Sequence, residues 1–147
     1  MQGSGLDVAA IMPVMVDAFD PEFGEAWTAA QCLSTLAMPG GQLLIAISDG
    51  IVAGFALSRG VVDEEELLLI GVSKSARRKS IGRQLIAQLQ KYCIKFKRST
   101  IFLEVREGNN AFSFYFSMGF DAVGIRPGYY KSTKGSLHDS VTMALKL

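Results

Sequence analysis

A short basic loop joins an apolar strand to an amphipathic helix. The strand covers 67–72, the loop covers 73–80, and the helix begins at Ile81. The first N–H groups of a helix have no intrahelical partners and lie at the positive end of the helix dipole, so a phosphate there meets both donors and charge. Gly82 allows a ligand to approach the backbone closely. The cationic side chains of the segment are Arg77, Arg78, Lys79 and Arg83. The pattern predicts a site for a phosphate-bearing ligand.

The common phosphate-binding motifs of nucleotide-binding proteins are missing from this segment. The sequence has no G-x-x-x-x-G-K-[ST] and no G-x-G-x-x-G after a strand, so ATP and dinucleotides are disfavoured as the ligand. The structural alternative is a solvated, basic helix start that binds nothing.

Glu104 is a carboxylate within an otherwise apolar strand. Three apolar residues, 101–103, precede it and Val105 follows it. In a sheet covered on both faces, such a carboxylate either lines a cavity, where it can act as a base, or forms an ion pair. The expected ion-pair partner is Arg106, which lies two residues along on the same face of the strand.

Tyr115 is a candidate proton donor in an aromatic segment. A phenol with a pKa of about 10 can give a proton to a developing anion and recover it from solvent. The structural alternative is a core aromatic residue, because several phenylalanines lie close to it in the sequence. They are Phe112, Phe114, Phe116 and Phe120.

His138 is the only histidine and lies in a polar segment at 131–139. We interpret it as a surface residue. Because no Ser/His/Asp or Cys/His arrangement can be assembled, the sequence favours direct attack between two substrates over a covalent enzyme intermediate.

Composition restricts the class of protein. A chain of 147 residues with 49% hydrophobic content predicts a single globular domain over 1–147. The net charge of +1 gives no general attraction to nucleic acid, and no apolar run reaches the ~20 residues of a membrane span. The first residues lack a signal-peptide pattern, so we expect a cytoplasmic protein without nucleic-acid or membrane partners. Cys32 and Cys93 are interpreted as buried thiols, and no metal site is predicted.

Helical and strand patterns alternate along the chain. Helices are expected at 6–19, 25–36, 81–96 and 110–117, with Asp7 as the first N-cap and Pro13 kinking the first helix or marking a late start. Strands are expected at 42–48, 51–58, 66–72, 100–105, 120–125 and 140–147. This order predicts an α+β fold in which helices flank a mixed sheet in three layers, α/β/α.

The basic loop resembles the acetyl-coenzyme A loop of the GNAT superfamily of N-acetyltransferases, [QR]-x-x-G-x-[GA] directly after a strand. Arg77, Ile81 and Gly82 fit this pattern, and Ser80 stands where the first glycine is usual. Later motifs resemble the bacterial ribosomal-protein alanine N-acetyltransferases (RimI type): L-E-V-R at 103–106, N-N-A at 109–111, Y-x-x-x-G-F at 115–120 and Y-Y at 129–130. Together these motifs resemble the family over roughly residues 52–147.

The resemblance implies a GNAT fold, with a mixed, mostly antiparallel sheet and a first strand that is missing or very short. It also implies transfer of an acetyl group from acetyl-CoA to an amine without a metal. In that reaction Glu104 would be the base and Tyr115 the proton donor to the leaving thiolate. Gly71 is expected at a bulge or close approach where its strand splays from a neighbour. The implied cofactor-binding residues are Ile70, Gly71, Val72, Arg77, Arg78, Lys79, Ser80, Ile81, Gly82 and, because segment 106–115 is one residue shorter than usual, Asn109 or Asn110.

A protein N-terminus is the acceptor that the resemblance implies, in contact with Trp27, Tyr129 and Tyr130. The structural alternative for the two tyrosines is that they bind no substrate and only cover the end of the sheet with their amphipathic rings. Other acceptors are a small amine or a lysine side chain, and a different class of function is a non-catalytic CoA-binding module. The acidic run at 63–66 is interpreted as solvated charge at a hairpin end, with attraction of a cationic substrate as the alternative.

Overall fold

A computed structural model describes residues 1–77 and 79–147, and the predicted cofactor-binding residue Arg78 lies outside them. Over the described residues there are four helices and seven strands. The helices are α1 (Val8–Ala18), α2 (Ala29–Ala37), α3 (Ile81–Lys95) and α4 (Ala111–Ser117). The strands are β1 (Gln2–Gly3), β2 (Gly41–Ser48), β3 (Ile51–Val61), β4 (Glu64–Val72), β5 (Thr100–Arg106), β6 (Asp121–Lys131) and β7 (Leu137–Lys146).

These strands form one sheet in the order β1-β2-β3-β4-β5-β7-β6. Neighbours are antiparallel, except that β4 and β5 are parallel. One face packs against α1 and α2, with Ile11 and Phe55 fully buried there. The other face packs against α3 and α4, with Leu89 and Phe120 fully buried. The predicted three-layer α/β/α fold with a mixed sheet is confirmed.

The pairing of β4 with β5 stops early. Only Glu64–Glu66 pair with Thr100–Phe102, so the rest of β4, 67–72, has β3 as its paired neighbour. The two strands therefore part in the middle of the sheet and leave a gap between them. Because Ile70 and Val72 line this gap, they are half-buried, although their apolar run predicts a strand covered on both faces.

A β-bulge lies in β4 just where the strands part. Leu57 pairs with Leu69 and Ser58 with Leu67, which leaves Leu68 as the extra residue. The bulge is thus at Leu68 and not at Gly71, which pairs regularly with Phe55. Gly71 is a position of close approach to Phe55, because an added Cβ would lie 2.9 Å from the ring.

The first helices begin later than their patterns predict. A 3₁₀ turn at Gly5–Asp7, capped by Ser4, precedes α1, and the Asp7 carboxylate accepts from the Ser4 N–H instead of capping α1. Asp7 is thus the N-cap residue of α1 as predicted, but its side chain makes no capping hydrogen bond to that helix. Since α1 begins at Val8 and continues through Pro13, a late start at the proline is also wrong. A capping box at Thr28 starts α2, which leaves the segment before it free to cross the end of the gap.

Strands β6 and β7 extend further toward their connecting turn than predicted. β6 runs to Lys131 and β7 begins at Leu137, so Tyr129 and Tyr130 lie in a strand. Pairing is interrupted between Arg126 and Tyr130, where Gly128 has φ +64° and donates its N–H to the Asp139 carboxylate at 2.9 Å. Pro127 and Gly128, beyond the predicted strand end at 125, therefore lie in an irregularity within β6.

One carboxylate of the acidic run is fully buried. Glu65 pairs with Arg98 at 3.3 Å, and Arg98 also donates to the Val62 carbonyl at 2.7 Å. The interpretation of 63–66 as solvated charge is therefore wrong for Glu65. Burial raises the pKa of this carboxyl, an effect that the Arg98 guanidinium opposes. The pair holds the β3–β4 hairpin against the start of β5 at the closed end of the gap.

Within the described part of the chain, no helix combines the length and apolar character needed to cross a bilayer.

Replacement of Arg98 by methionine is expected to destabilise the fold by about 3–5 kcal/mol at neutral pH, because the charge of Glu65 is left buried without a partner. Since burial raises the pKa of Glu65 in the folded state, the native protein takes up that proton more readily than the unfolded chain. The loss should shrink as pH falls from neutrality toward the ordinary carboxyl pKa of about 4.3. Urea unfolding midpoints of the wild type and Arg98→Met, compared between neutral pH and about pH 4.3, measure this loss of stability. The exposed Lys146→Met is the control. A loss independent of pH would contradict the buried-charge explanation.

Candidate active site

The gap between β4 and β5 opens into a cleft of about 870 Å³. The cleft is lined by most of the residues that the sequence predicts to be catalytic or ligand-binding. These are Trp27, Ile70, Gly71, Val72, Arg77, Ser80, Ile81, Gly82, Glu104, Asn109, Asn110, Tyr115, Tyr129 and Tyr130. Lys79 is not among the lining residues of the cleft and instead lines a separate groove between α3 and β2.

At one end of the cleft lies the N-terminus of α3. Ser80, the N-cap, makes no side-chain hydrogen bond to the helix, so the first N–H groups of α3 remain available on the side that borders the cleft. Arg77 and Arg83 line the same end. Free donors, the helix dipole and two guanidinium groups make this end suited to an anion.

Ser80 has φ +60° and ψ 22°, a left-handed conformation. This backbone geometry explains why glycine is usual at the corresponding position of the loop that the sequence resembles. The chain therefore keeps the shape of the loop with a serine, at the cost of some strain.

The loop is held in place from the end of α1. The Asp17 carboxylate accepts from the Lys74 N–H at 2.6 Å, and Arg77 donates to the Ala18 carbonyl at 3.5 Å. Asp17 was not nominated from the sequence. Its position in the last turn of a helix far from the loop gave no signal, because the contact spans 57 residues of chain.

Helix α4 forms the other wall at this end. An added Cβ on Gly82 would lie 3.2 Å from the Phe114 ring, so the missing side chain lets α3 and α4 approach each other. Arg83 reaches the Ser117 hydroxyl at 3.4 Å and the Met118 sulfur at 3.5 Å. Gly82 thus serves helix packing as well as backbone access.

The two asparagines before α4 have different environments. Asn109 accepts from the Ala111 N–H at 2.9 Å, which fixes its side chain over the start of the helix. Asn110 is exposed at the N-cap position and makes no side-chain capping bond. The whole Asn110 side-chain amide is therefore available to a ligand in the cleft, whereas Asn109 has only its amide nitrogen to offer.

Glu104 lies at the middle of the cleft, held by the neighbouring strand β7. Its carboxylate accepts from the Ser140 hydroxyl and from the Thr142 hydroxyl, the latter at 2.9 Å. Arg126 lies 3.5 Å away, with its side chain 61% exposed. Two short hydroxyl side chains, the buried Ser140 and the half-buried Thr142, therefore fix the carboxylate, and one exposed cation lies beside it.

The predicted ion pair of Glu104 with Arg106 does not form. Arg106 pairs with Glu25 at 3.0 Å, and its guanidinium lies 3.5 Å from the centre of the Phe23 ring. Arg106 thereby fixes the segment before α2 against β5, which leaves Glu104 facing the cleft. The register explains this result, since Glu104 lies opposite Thr142 and Arg106 lies opposite Ser140.

Tyr115 is both a core residue and a lining residue. Its ring packs against Phe114 and Phe120 with centroid separations of 5.4 and 5.8 Å, and the side chain is buried. Burial raises the pKa of its hydroxyl, as do the nearby Tyr130 and Glu25. The phenol therefore stays protonated across the physiological pH range, which is the state that a proton donor requires.

Aromatic side chains surround the end of the cleft beyond Glu104. Tyr129 is half-exposed and meets Tyr130 edge to face at 4.9 Å. The Tyr130 hydroxyl lies 3.5 Å from the Glu104 carbonyl oxygen, and burial raises the pKa of this phenol. Trp27 lines the same end and packs on the α1 side of the core.

Other nominated features lie away from the chemistry. His138 is half-buried, packs against Phe23 at 5.4 Å and contacts the Ser136 hydroxyl at 3.2 Å. Cys32 and Cys93 are buried thiols. Among the residues described, no group of three or more His, Cys, Asp and Glu side chains is arranged to hold a metal ion.

Ser140, Thr142 and Glu25 were missed by the sequence reasoning. A usable signal existed for the first two, because hydroxyl residues two apart in a strand share a face. None existed for Glu25, which pairs with a residue 81 positions away.

Replacement of Ser80 by glycine is expected to stabilise the protein by about 0.5–1 kcal/mol, because relief of about 1–2 kcal/mol of left-handed strain is partly offset by the greater freedom of glycine in the unfolded chain. Thermal or urea unfolding measures this. Ser75→Gly, in the same loop but without a positive φ, should destabilise, and Ser80→Ala should give no gain. Destabilisation by Ser80→Gly would show instead that the Ser80 hydroxyl makes a stabilising contact.

Comparisons with known proteins agree with this architecture. The family described as acetyltransferase (GNAT) domain matches residues 12–132. The [ribosomal protein bS18]-alanine N-acetyltransferase of Escherichia coli (strain K12) is 37% identical over 100 residues, 67% of each chain. The N-alpha-acetyltransferase RimI of Mycobacterium tuberculosis is 33% identical over 112 residues, 73% of this chain and 69% of that protein.

A similar solved structure supports the same assignment. The crystal structure of the ribosomal-protein-S18-alanine N-acetyltransferase from Escherichia coli superimposes with a TM-score of 0.89 at 28% identity, covering 99% of this chain and 91% of that one. The matched family, the identity to curated relatives and the shared fold lead to one conclusion: the chain belongs to the GNAT acetyltransferase family.

Proposed function

We propose that this enzyme transfers the acetyl group of acetyl-CoA to the N-terminal α-amino group of a protein, of the ribosomal-protein alanine type. The observation that carries the proposal is the position of Glu104 and Tyr115 on one cleft, between a cationic helix N-terminus and a group of aromatic side chains. The relatives named for ribosomal-protein alanine acetylation support the acceptor class. Direct attack by the amine fits a cleft whose lining includes no serine–histidine or cysteine–histidine pair among the described residues.

The residues present fit acetyl-CoA. The helix α3 N-terminus with Arg77 and Arg83 suits a pyrophosphate, and the Asn110 amide is available beside it. The backbone of β4 at 67–72, which has no paired neighbour on the β5 side, offers N–H and C=O groups to an amide-containing arm. When bound, acetyl-CoA supplies a thioester, whose carbonyl carbon accepts the amine.

Glu104 is the proposed base. A peptide α-amino group has a pKa of about 7.7–8.0. Near neutral pH most acceptor molecules therefore carry an ammonium group, which must lose a proton before the nitrogen can attack. Glu104 accepts that proton directly or through a water molecule, while Thr142 and Ser140 keep the carboxylate oriented. The new C–N bond forms as the C–S bond breaks.

Tyr115 is the proposed proton donor to the departing thiolate of CoA. Its hydroxyl is protonated at neutral pH, as any phenol with a pKa of about 10 or above is, and burial raises its pKa further. After the transfer, the phenolate recovers a proton from solvent through the open cleft. The nitrogen loses two protons on becoming an amide: Glu104 accepts the first and releases it to solvent, and it accepts the second as the C–S bond breaks. Tyr115 gives one proton to sulfur and recovers one from solvent, so the overall reaction releases one proton.

Substitutions at these two residues test catalysis separately from binding. Glu104→Gln and Tyr115→Phe keep the side-chain shape, so each should lower kcat by about 100-fold or more while the affinity for acetyl-CoA stays near that of the wild type. Higher pH should partly rescue Glu104→Gln, because more of the amine is then neutral. The controls Glu107→Gln and Tyr92→Phe, both outside the cleft, should retain activity. Wild-type rates in both active-site variants would favour a non-catalytic CoA-binding module.

The acceptor class is tested with a panel of amines. A peptide with an N-terminal alanine should be acetylated, whereas the same peptide with a blocked N-terminus and an internal lysine, and a free polyamine, should be poor substrates. Tyr129→Ala should raise KM for the N-terminal peptide by about fivefold to thirtyfold through lost aromatic contact, with acetyl-CoA binding unchanged. The exposed Phe116→Ala on α4 is the matched control. Efficient acetylation of the lysine peptide or polyamine would replace the N-terminal proposal with a side-chain or small-amine acceptor.

A further inference from the structure

A second groove runs between α3 and the edge of the sheet at β2, away from the reaction centre. Its volume is about 990 Å³. One wall is a stripe of α3 formed by Gln84, Gln88, Lys91 and Lys95, with Lys79 just before the helix. The other wall is β2, which contributes Gln42 and 44–48. We refer to this surface as the lysine groove.

The charges that line the lysine groove all have one sign. Lys79, Lys91 and Lys95 line it, no aspartate or glutamate does, and none of these lysines is within ion-pair distance of a carboxylate over residues 1–77 and 79–147. The whole chain carries nearly balanced charge, at +1. The groove is therefore a local cationic site suited to an anionic ligand.

A buried amide without partners lies in the wall of this groove. Gln42 is only 3% exposed, and neither its side-chain nitrogen nor its side-chain oxygen has a hydrogen-bond partner among the described residues. An unpaired buried polar group costs stability and requires an explanation. One donor and one acceptor side by side complement a peptide group, which offers a carbonyl and an N–H. A phosphate offers only acceptors.

The edge of the sheet is open along part of this groove, at 46–48. β1 pairs with only Leu43 and Leu44 of β2, and the Met1 ammonium donates to the Ile45 carbonyl. Beyond Ile45, the segment 46–48 has β3 as its only paired neighbour among the described strands. An extended chain can add to such an edge through main-chain hydrogen bonds.

From these observations we propose that the lysine groove binds an extended, acidic peptide segment of a partner protein. From Gln84 to Lys95 the helix stripe spans about 16 Å at a rise of about 1.5 Å per residue. That length matches about five residues of extended chain at about 3.3 Å each, which is too long for one small anion. Single-stranded RNA is disfavoured, because Tyr92, the aromatic residue lining the groove, packs at a tilt against Phe96 with ring centroids 4.6 Å apart and does not form an open platform for bases.

Fluorescence anisotropy of a labelled peptide tests this site. The probe is the hexapeptide (Val-Glu)₃ with an acetylated N-terminus, so that it cannot be an acceptor in the cleft. Saturable binding that weakens with added salt is expected. The double variant Lys91→Gln with Lys95→Gln should weaken it by about tenfold, the combined effect of two partly exposed ion pairs. The matched control is Lys131→Gln with Lys146→Gln, which removes the same charge elsewhere and should leave the affinity unchanged.

A second variant separates binding from folding. Gln42→Leu removes the unpaired amide, so its Tm should equal or exceed that of the wild type while the affinity for (Val-Glu)₃ falls by several-fold. Acetyl transfer by the Lys91→Gln, Lys95→Gln variant should match that of the wild type, because both lysines lie outside the cleft.

Three results would each overturn the proposal: no saturable binding of (Val-Glu)₃, equal binding of (Val-Gln)₃, or equal loss in the control double variant. Tighter binding of a labelled octauridylate would assign the groove to RNA instead. None of these outcomes depends on acetyl transfer, so failure here leaves the proposed function standing.

Discussion

The early end of pairing between β4 and β5 is the constraint on which the rest of the site depends. After three paired positions, a bulge at Leu68 turns β4 away from its neighbour. Backbone groups within a sheet that lack partners must find them elsewhere, in solvent or in a ligand. The gap is thus an intrinsic binding surface for a chain of amide groups. The buried Glu65–Arg98 pair holds the closed end of the gap, so the parting begins at a fixed point.

The cleft separates its charges along its length. Arg77, Arg83 and the start of α3 make one end cationic. Away from that end, Glu25 is paired with Arg106, and the cation beside the Glu104 carboxylate is the exposed Arg126. An anionic donor and a cationic acceptor can therefore occupy opposite ends without competing. They meet at the middle, where the hydroxyl of Tyr115 and the carboxylate of Glu104 line the same space.

The sequence predicted layers and elements better than it predicted side-chain partners. Apolar periodicity is local, so α3 was placed correctly at its start, Ile81, and to within a residue at its end. Partners depend on register between distant strands, and no local pattern encodes that β7 would place Thr142 opposite Glu104. The same reason explains the wrong partner for Arg106. Glu65 was misassigned because its burial depends on Arg98, which lies 33 residues away.

The end of β6 was predicted too early. The strand was expected to end at 125, yet β6 continues through an irregularity at Gly128, which donates its N–H to the Asp139 carboxylate. That irregularity places Tyr129 and Tyr130 beside the cleft instead of beyond it. A loop of the same composition would have been free to move, whereas a strand holds the aromatic rings in one orientation.

An incoming amine can displace one kind of Glu104 partner, the exposed guanidinium of Arg126, but not the other kind, the hydroxyls of Ser140 and Thr142. An ion pair with a guanidinium as exposed as that of Arg126 is worth about 0–1 kcal/mol, so an ammonium group can replace it at little cost. Ser140 and Thr142 come from the interior strand β7, paired on both sides, and their short side chains have few other positions to adopt. In the proposed reaction the exposed cation therefore gives way to the substrate while the two hydroxyls stay. The carboxylate keeps its direction during the exchange, and this constancy lets one group first attract the ammonium and then accept its proton.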